Sequence, residues 1–352
     1  MSHPQNSLPE SYLAIDEHGL IRIADQPVKD SDPAHEILKN LFIHELGSLC
    51  TKFENQSYFV EAFDQPLIVQ KIESLDETET NIRLHCQYSW TEEADLHTLQ
   101  VDEWDRFLGK TLKGIPFVLS ARAQNQLFEL CDEFDDESIT YNETMIEISD
   151  WLPDAEAVED SEFWSQAYLR KEARWDLKQA SPILTDMLDR LRLPRSKVLV
   201  LGCGPGHDAA FFAEHGHIVT AVDISSEALN LARSNYPNAN IQWIQKDIFD
   251  LNAQEFGQFD FIFEHTCFCA INPYRRKELV KKWIQLLAPE GSLMGIFFAM
   301  ERRNAAPFGG SEWEIRQRLR KNFQFLFWGR WRNSIQGRQG KELFVYAKKM
   351  TL

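Results

Sequence analysis

The sequence predicts an α/β protein, a doubly wound seven-stranded sheet preceded by a smaller α+β domain. Three observations carry that prediction. Val198-Leu199-Val200-Leu201 is a fully apolar run that stops at Gly202-Cys203-Gly204-Pro205-Gly206, just ahead of a helical pattern from about Asp208 to His215; such runs, cut off by glycine, read as buried parallel strands. Strand-like and helix-like segments then alternate towards the C-terminus, as βαβ units do. Finally, charge changes partway along: residues 1–150 hold 30 acids and 10 bases, and residues 151–352 hold 24 and 27, within a net charge of −17. The expected domains are therefore 1–150, acidic and of open role, and 151–352, carrying the glycine loop.

A chain of 352 residues is long enough for two cores. With 43% hydrophobic and 26% charged residues the composition is that of a soluble globular protein. No apolar run approaches the length of a membrane span, and Met1-Ser2-His3-Pro4-Gln5 has neither a basic region nor an apolar core. The expectation is a cytoplasmic protein without a membrane partner. Six cysteines (Cys50, Cys86, Cys131, Cys203, Cys267, Cys269) include no C-x-x-C pair, so neither a disulfide framework nor a metal site is expected. The acidic first half argues against nucleic acid, because phosphate contacts need Lys and Arg. The basic residues Arg302, Arg303, Arg316, Arg318, Arg320, Lys321, Arg330 and Arg332 are spread over a loop, a helix and a strand. A solvated face, or docking onto the acidic half, accounts for them.

The first half opens with a polar stretch, 1–11, and a hairpin, Tyr12–Ile15 and Leu20–Ile23, whose turn contains Gly19. Asp32-Pro33 starts a helix over Ala34–Leu41. Strand-like runs follow at Tyr58–Ala62, Leu67–Ile72, Ile82–Cys86 and Phe117–Ser120, with a loop over Glu73–Thr80 and a helix over Ala121–Cys131. An antiparallel sheet with helices is expected. The acidic stretch from Asp132 to Asp160 reads as a linker. Parts of this half loosely resemble a bacterial domain of unknown function, a likeness that brings no activity.

In the second half, Phe163–Tyr168 places Trp164 and Tyr168 at i and i+4, on one helix face. Those rings suit either a core anchor or a cover over a bound cation or purine. The glycines at 202, 204 and 206 free a helix N-terminus to meet an anionic group. After His217–Val222, the second strand, Asp223 stands where a carboxylate can accept two sugar hydroxyls, or can cap the next helix. Asp247 follows a third strand, Ile241–Ile244. Phe259–Phe263 is the fourth strand, Tyr274–Leu287 a helix and Gly291–Phe298 the fifth strand; a helix over Ser311–Arg320 and strands at Phe323–Trp328 and Leu343–Lys348 close the sheet. Ligands bind such sheets at the carboxyl ends of the strands.

The alternate-glycine loop, with Asp223 and Asp247 in order behind it, resembles the cofactor loop of S-adenosylmethionine-dependent methyltransferases. Phe259–Pro273, Trp164, Arg174-Trp175-Asp176-Leu177, Val222-Asp223-Ile224-Ser225, Gly309-Gly310 and Arg338–Glu342 extend that likeness over residues 160–350. Together they resemble the thiopurine S-methyltransferase family, most closely its plant branch of thiol and halide methyltransferases. The resemblance implies a Rossmann-like class I methyltransferase domain with S-adenosyl-L-methionine as cofactor. It implies cofactor contacts at Trp164, Tyr168, Trp175, Leu201, Gly202, Gly204, Asp223, Asp247 and Ile248, with Gly206 and Ile224 beside them. It also implies a substrate-facing residue just beyond the fourth strand. That residue is an arginine in the thiopurine enzymes and His265 here, which puts a carboxylate clamp in doubt.

Methyl transfer from a sulfonium asks mainly that the acceptor be close, aligned and desolvated. A thiol is already a few per cent thiolate at neutral pH, so His265 or Glu264 need only assist deprotonation. The expected acceptor is a small soft nucleophile: a thiol, or a selenium, tellurium or halide species. The competing expectations are a cofactor sensor or scaffold whose acidic domain meets a protein partner, and N- or O-methylation of a larger substrate.

Overall fold

The computed structural model describes residues 9–45, 47–75, 80–135, 137–150, 155–300, 303 and 305–350. The N-terminal residues 1–8, part of the predicted loop (76–79), the linker residues 151–154 and Arg302 lie outside the described residues. The chain divides into two compact units, Met1–Pro153 and Asp154–Leu352.

Among its described residues the first unit is built from short strands in four sheets and two α-helices, Ser31–Lys39 and Ala121–Leu130. Its hairpin, Ser11–Ile15 with Ile21–Ile23, is antiparallel, but Ser11–Ile15 also runs parallel to Gln56–Ala62. The sheet system is thus mixed rather than purely antiparallel. Two further expectations are corrected. The run Leu67–Ile72 is not one strand: Leu67–Val69 pairs with Pro116–Leu119, while Lys71–Ser74 joins Asn81–His85 in another sheet. The acidic stretch after Asp132 is not linker throughout, because Glu133–Phe134, Ser138–Tyr141 and Thr144–Glu147 form an antiparallel sheet. Its alternate residues Ile139, Tyr141 and Ile146 are buried in the core of the unit, and that burial outweighs the acidic composition of the exposed positions.

The second unit begins with helices α1 (Ser161–Leu169) and α2 (Pro182–Leu191). Strand β1 (Lys197–Leu201), α3 (His207–Glu214), β2 (Ile218–Asp223), α4 (Ser226–Asn235) and β3 (Ile241–Gln245) follow. Next are β4 (Phe259–His265), α5 (Arg276–Leu286), β5 (Leu287–Phe298), α6 (Glu312–Leu319), β6 (Phe323–Arg330) and β7 (Glu342–Lys349). The strands form one seven-stranded sheet in the order β3-β2-β1-β4-β5-β7-β6. Pairs among β1 to β5 are parallel, and β7 runs antiparallel to both β5 and β6.

Both faces of the sheet are covered, which is why its central strands are apolar throughout. One face packs on α2 and α3 through Ile183, Leu184, Ala209, Phe212 and Phe263. The other packs on α5 and α6 through Leu279, Trp283, Ile315 and Leu319. Strand order reverses between β1 and β4, so their carboxyl ends, Leu201 and His265, flank the crevice in which such sheets bind ligands. The fold is the Rossmann-like α/β arrangement expected. No described helix is long and apolar enough to cross a membrane.

Candidate active site

The crevice is lined by the glycine loop between β1 and α3. Gly204 has φ of +51°, and a Cβ built there would lie 2.9 Å from the Tyr168 hydroxyl. At Gly202, φ is +56° and a Cβ would meet Cys267 Sγ at 2.9 Å. Both positions therefore need glycine for backbone conformation and for space. Gly206, also left-handed, stands immediately before α3, and Leu201, at the end of β1, is buried.

Asp223 ends β2, with its side chain turned back to the loop. Its Oδ2 accepts from Gly204 N at 2.8 Å and its Oδ1 from Ser225 N at 2.9 Å. Ser225 is the cap of α4, accepting from Ala228 N. Asp223 is therefore not that helix's cap; it ties loop to strand end. Burial pushes its carboxyl up and the backbone donors at Ser225, Gly204 and Ile224 pull it back. Ile224 is half-buried beside it, and Ile248 is buried. Asp247, half-buried after β3, accepts from Phe249 N at 2.9 Å and caps the short turn Ile248–Asp250.

An aromatic strap covers the loop. Trp175 Nε1 donates to the Tyr168 hydroxyl at 2.9 Å, and the two rings meet edge to face with centroids 5.8 Å apart. Trp164 packs edge-on against Trp175 at 5.5 Å and donates from Nε1 to Val158 O. Helix α1 is held down by a buried hydrogen bond of 3.0 Å between Ser165 and Ser225. The structure thus brings the three expected aromatic residues together, with the Tyr168 hydroxyl against Gly204, and the i, i+4 pair on α1 is completed by Trp175 from the following loop. Burial, with Asp223 nearby, pushes the Tyr168 phenol far above its ordinary range, so it stays neutral.

The two expected proton-handling residues point to opposite faces of β4, as neighbours on a strand do. His265 shares its face with Phe263 and reaches α3, where Nδ1 lies 2.7 Å from Asp208 Oδ2. On its other side Nε2 is 3.9 Å from Glu342 Oε1. Burial opposes charge on this ring, but Asp208 and Glu342 outweigh it and raise the pKa to about 9. Both ring nitrogens are thereby engaged, because Nε2 also lies 3.3 Å from Arg338 Nη1. Glu264 is fully buried on the other face; its Oε1 accepts from Phe268 N at 2.7 Å, and burial raises its pKa to about 7. It holds the turn at Cys267–Phe268 and is closed to solvent. Burial also pushes the Cys203 and Cys267 thiols well above their usual range. Neither presents a thiolate.

Sequence reasoning missed the ion cluster behind the strap. Asp208 Oδ1 accepts from Ser181 N at 2.7 Å. Arg338 donates to Trp175 O at 2.8 Å and to Glu342 Oε1 at 3.1 Å. His207 Nε2 lies 3.1 Å from Asp176 Oδ1. The run Arg338–Glu342 does enter the resemblance, but nothing in its spacing points to Trp175. Among the described residues no group of three or more His, Cys, Asp or Glu side chains is arranged to hold a metal.

The residues present fit S-adenosylmethionine narrowly: a loop held free of Cβ atoms, a rigidified acid at the end of β2, a second acid after β3 and an aromatic cover suited to a sulfonium. Fold and site define a class I methyltransferase dependent on that cofactor. The chain belongs to the thiopurine S-methyltransferase (TPMT) family, whose family model matches residues 159–339, just over half of it. It is similar to thiocyanate methyltransferase 1 of Brassica oleracea, 32% identical over 165 residues that make up 46% of this chain and 71% of that one. It is also similar to probable thiol methyltransferase 2 of Arabidopsis thaliana, 30% identical over 148 residues, 41% of this chain and 65% of that one. Among solved structures, the 1,6-didemethyltoxoflavin-N1-methyltransferase of Burkholderia thailandensis overlays with a TM-score of 0.47, 20% identity, and coverage of 63% of this chain and 99% of that one.

Proposed function

We propose that this enzyme methylates a small soft nucleophile that arrives as an anion or ionises readily: a low-molecular-weight thiol, thiocyanate, iodide, or a selenium or tellurium oxyanion. The observation that carries this reading is how the site's proton-handling groups are engaged. His265 is held at Nδ1 by Asp208 at 2.7 Å and faces Arg338 Nη1 from Nε2 at 3.3 Å, and Glu264 is sealed beneath the Cys267–Phe268 turn, so among the described residues of the site neither stands ready to strip a proton from an amine or alcohol. A thiol needs little help, and thiocyanate and iodide need none.

Bound S-adenosylmethionine supplies an activated methyl group on a sulfonium, a donor that needs no further activation. The chain's part is to hold and enclose. We assign the cofactor to Gly202, Gly204 and Gly206, with Leu201, Asp223, Ile224, Asp247 and Ile248 along its length and Trp164, Tyr168 and Trp175 above it. The strap excludes water and keeps the acceptor against the donor, and proximity and desolvation supply most of the rate for a displacement of this kind. Glu264 acts through the turn it holds at Phe268, and His265 through the cluster it joins with Asp208, Arg338 and Glu342, rather than by moving a proton.

The test is release of S-adenosylhomocysteine by the purified full-length chain, supplied with S-adenosylmethionine and small thiols, thiocyanate, iodide, selenite or tellurite. Turnover above the blank with at least one of them is expected. Turnover only with amines or alcohols would refute the reading. The same proposal places the enzyme in the cytoplasm and gives the first unit, with its 30 acids against 10 bases within residues 1–150, to a basic protein partner.

A further inference from the structure

We infer that Arg338 is a positioning residue for methyl transfer, latching the strap between Trp175 and Ser181 over the cofactor loop. The inference rests on the proposed methyltransferase reading and adds to it a residue far from the glycine loop in sequence.

The strap is tied at both ends to one cluster of charges. At its start, the guanidinium of Arg338 donates to Trp175 O at 2.8 Å; at its end, Ser181 N donates to Asp208 Oδ1 at 2.7 Å. The two anchors are linked through the site itself. Asp208 meets His265 at 2.7 Å, His265 faces Glu342 at 3.9 Å, and Glu342 accepts from Arg338 at 3.1 Å. Arg338 Nη1 also lies 3.3 Å from His265 Nε2, which closes the cluster, and all four side chains are 15% exposed or less. Between the anchors Asp176 leans on His207 at 3.1 Å. What the latch positions is the indole of Trp175, whose Nε1 holds the Tyr168 hydroxyl against Gly204.

Arginine suits this place for a geometric reason. Its planar fork serves a carbonyl on one arm and a carboxylate on the other while its face lies over the Phe298 ring, 5.7 Å from the centroid. A lysine ammonium is a point charge that cannot span both acceptors in a fixed plane. Without the latch the strap keeps its sequence and its aromatic contacts but loses the tie that fixes Trp175, so the cover over the loop opens more often.

The experiment compares wild type with Arg338→Gln, Arg338→Lys and Ser181→Pro. Ser181 has φ of −55° and ψ of 128°, which proline adopts readily, so Ser181→Pro removes the N–H anchored on Asp208 without straining the backbone there, while a ring takes the place of the buried hydroxyl. Three quantities are read: amide exchange of residues 175–181 in the free protein, the dissociation rate of S-adenosylhomocysteine followed by tryptophan fluorescence, and kcat against KM for the best acceptor. Both Arg338 variants are expected to speed strap exchange and product dissociation about tenfold or more, the scale of losing a hydrogen bond to a charged group. Lysine should fail to rescue, and kcat should fall more than KM rises. Ser181→Pro should move the same quantities by a smaller factor. If strap exchange and dissociation stay at wild-type values in Arg338→Lys and Ser181→Pro, or if only the melting temperature of Arg338→Gln falls, the latch is refuted. If wild type binds no S-adenosylhomocysteine, the methyltransferase reading itself fails, while strap exchange in the free protein still reports on the latch.

Discussion

Asp223 and Gly204 are joined by a hydrogen bond of 2.8 Å from the Gly204 amide to the Asp223 carboxylate. The acid at the end of β2 therefore shapes the glycine loop as well as facing the crevice. Its other oxygen is taken by Ser225 N, and the Ile224 amide also favours its charged form. Replacing Asp223 by Ala removes the tethers to Gly204 and Ser225 and leaves their amides without this acceptor. We expect S-adenosylhomocysteine affinity to fall by about 2–3 kcal/mol, roughly 30- to 150-fold, with Asp223→Asn intermediate because one amide keeps an acceptor. Calorimetric titration decides it; affinity within twofold of the parent in Asp223→Ala would show that the loop holds its shape unaided.

Gly204→Ala should weaken cofactor binding by a separate route. The left-handed backbone costs an alanine about 1 kcal/mol, and the new methyl meets the Tyr168 hydroxyl at 2.9 Å. Tyr168→Phe removes the obstructing oxygen together with the acceptor for Trp175 Nε1. In a double-mutant cycle the pair should lose less affinity than the sum of the single losses. Strict additivity would mean that the strap does not rest on Gly204.

How much of this was legible in the sequence depended on the range of the signal. The glycine loop, the acids after β2 and β3 and the order of strands and helices are local patterns, and the structure realises them within a few residues. Strand β7, expected over Leu343–Lys348, spans Glu342–Lys349, for example. The sheet at residues 133–147 was hidden because its exposed positions are acidic, although Ile139, Tyr141 and Ile146 alternate as a half-buried sheet should. The cluster of Asp208, His265, Arg338 and Glu342 was not legible at all. Its members lie up to 134 positions apart, on α3, β4, the loop before β7 and β7 itself, and only the register of the closed sheet brings them together. The partners of His265, and the carboxylates that raise its pKa, come from that assembly, which the histidine taken alone does not show.

His265→Gln should alter how stability depends on pH within a defined window. The folded ring titrates near 9 and the ordinary value is near 6.5. Its contribution is fully present below about 6.5 and is lost as pH rises through about 9. Wild type should therefore lose on the order of 2 kcal/mol between pH 6.5 and 9 that the Gln variant does not lose. Urea titrations at several pH values compare the two slopes; parallel curves would show that the ring is not held charged between Asp208 and Glu342.

Glu264→Gln gives the complementary window. Burial raises this carboxyl from an ordinary value near 4.5 to about 7, against the pull of the Phe268 amide, His265 and other neighbours. An acid whose folded pKa is raised contributes stability that is present below about 4.5 and disappears as pH climbs through about 7. Wild type should lose stability between pH 4.5 and 7, on the order of 2 kcal/mol, while the variant stays flat there. The Gln carbonyl can still accept from Phe268 N, so the Cys267–Phe268 turn and the space beneath Gly202 should persist. At pH 8 the variant should be at least as stable as the parent, because an amide in this place need not be ionised. Its kcat on a thiol acceptor should lie within about threefold of wild type, since the proposed reaction takes no proton through Glu264. A loss of a hundredfold or more, the scale of removing a general base, with an unchanged melting temperature, would return Glu264 to the chemistry.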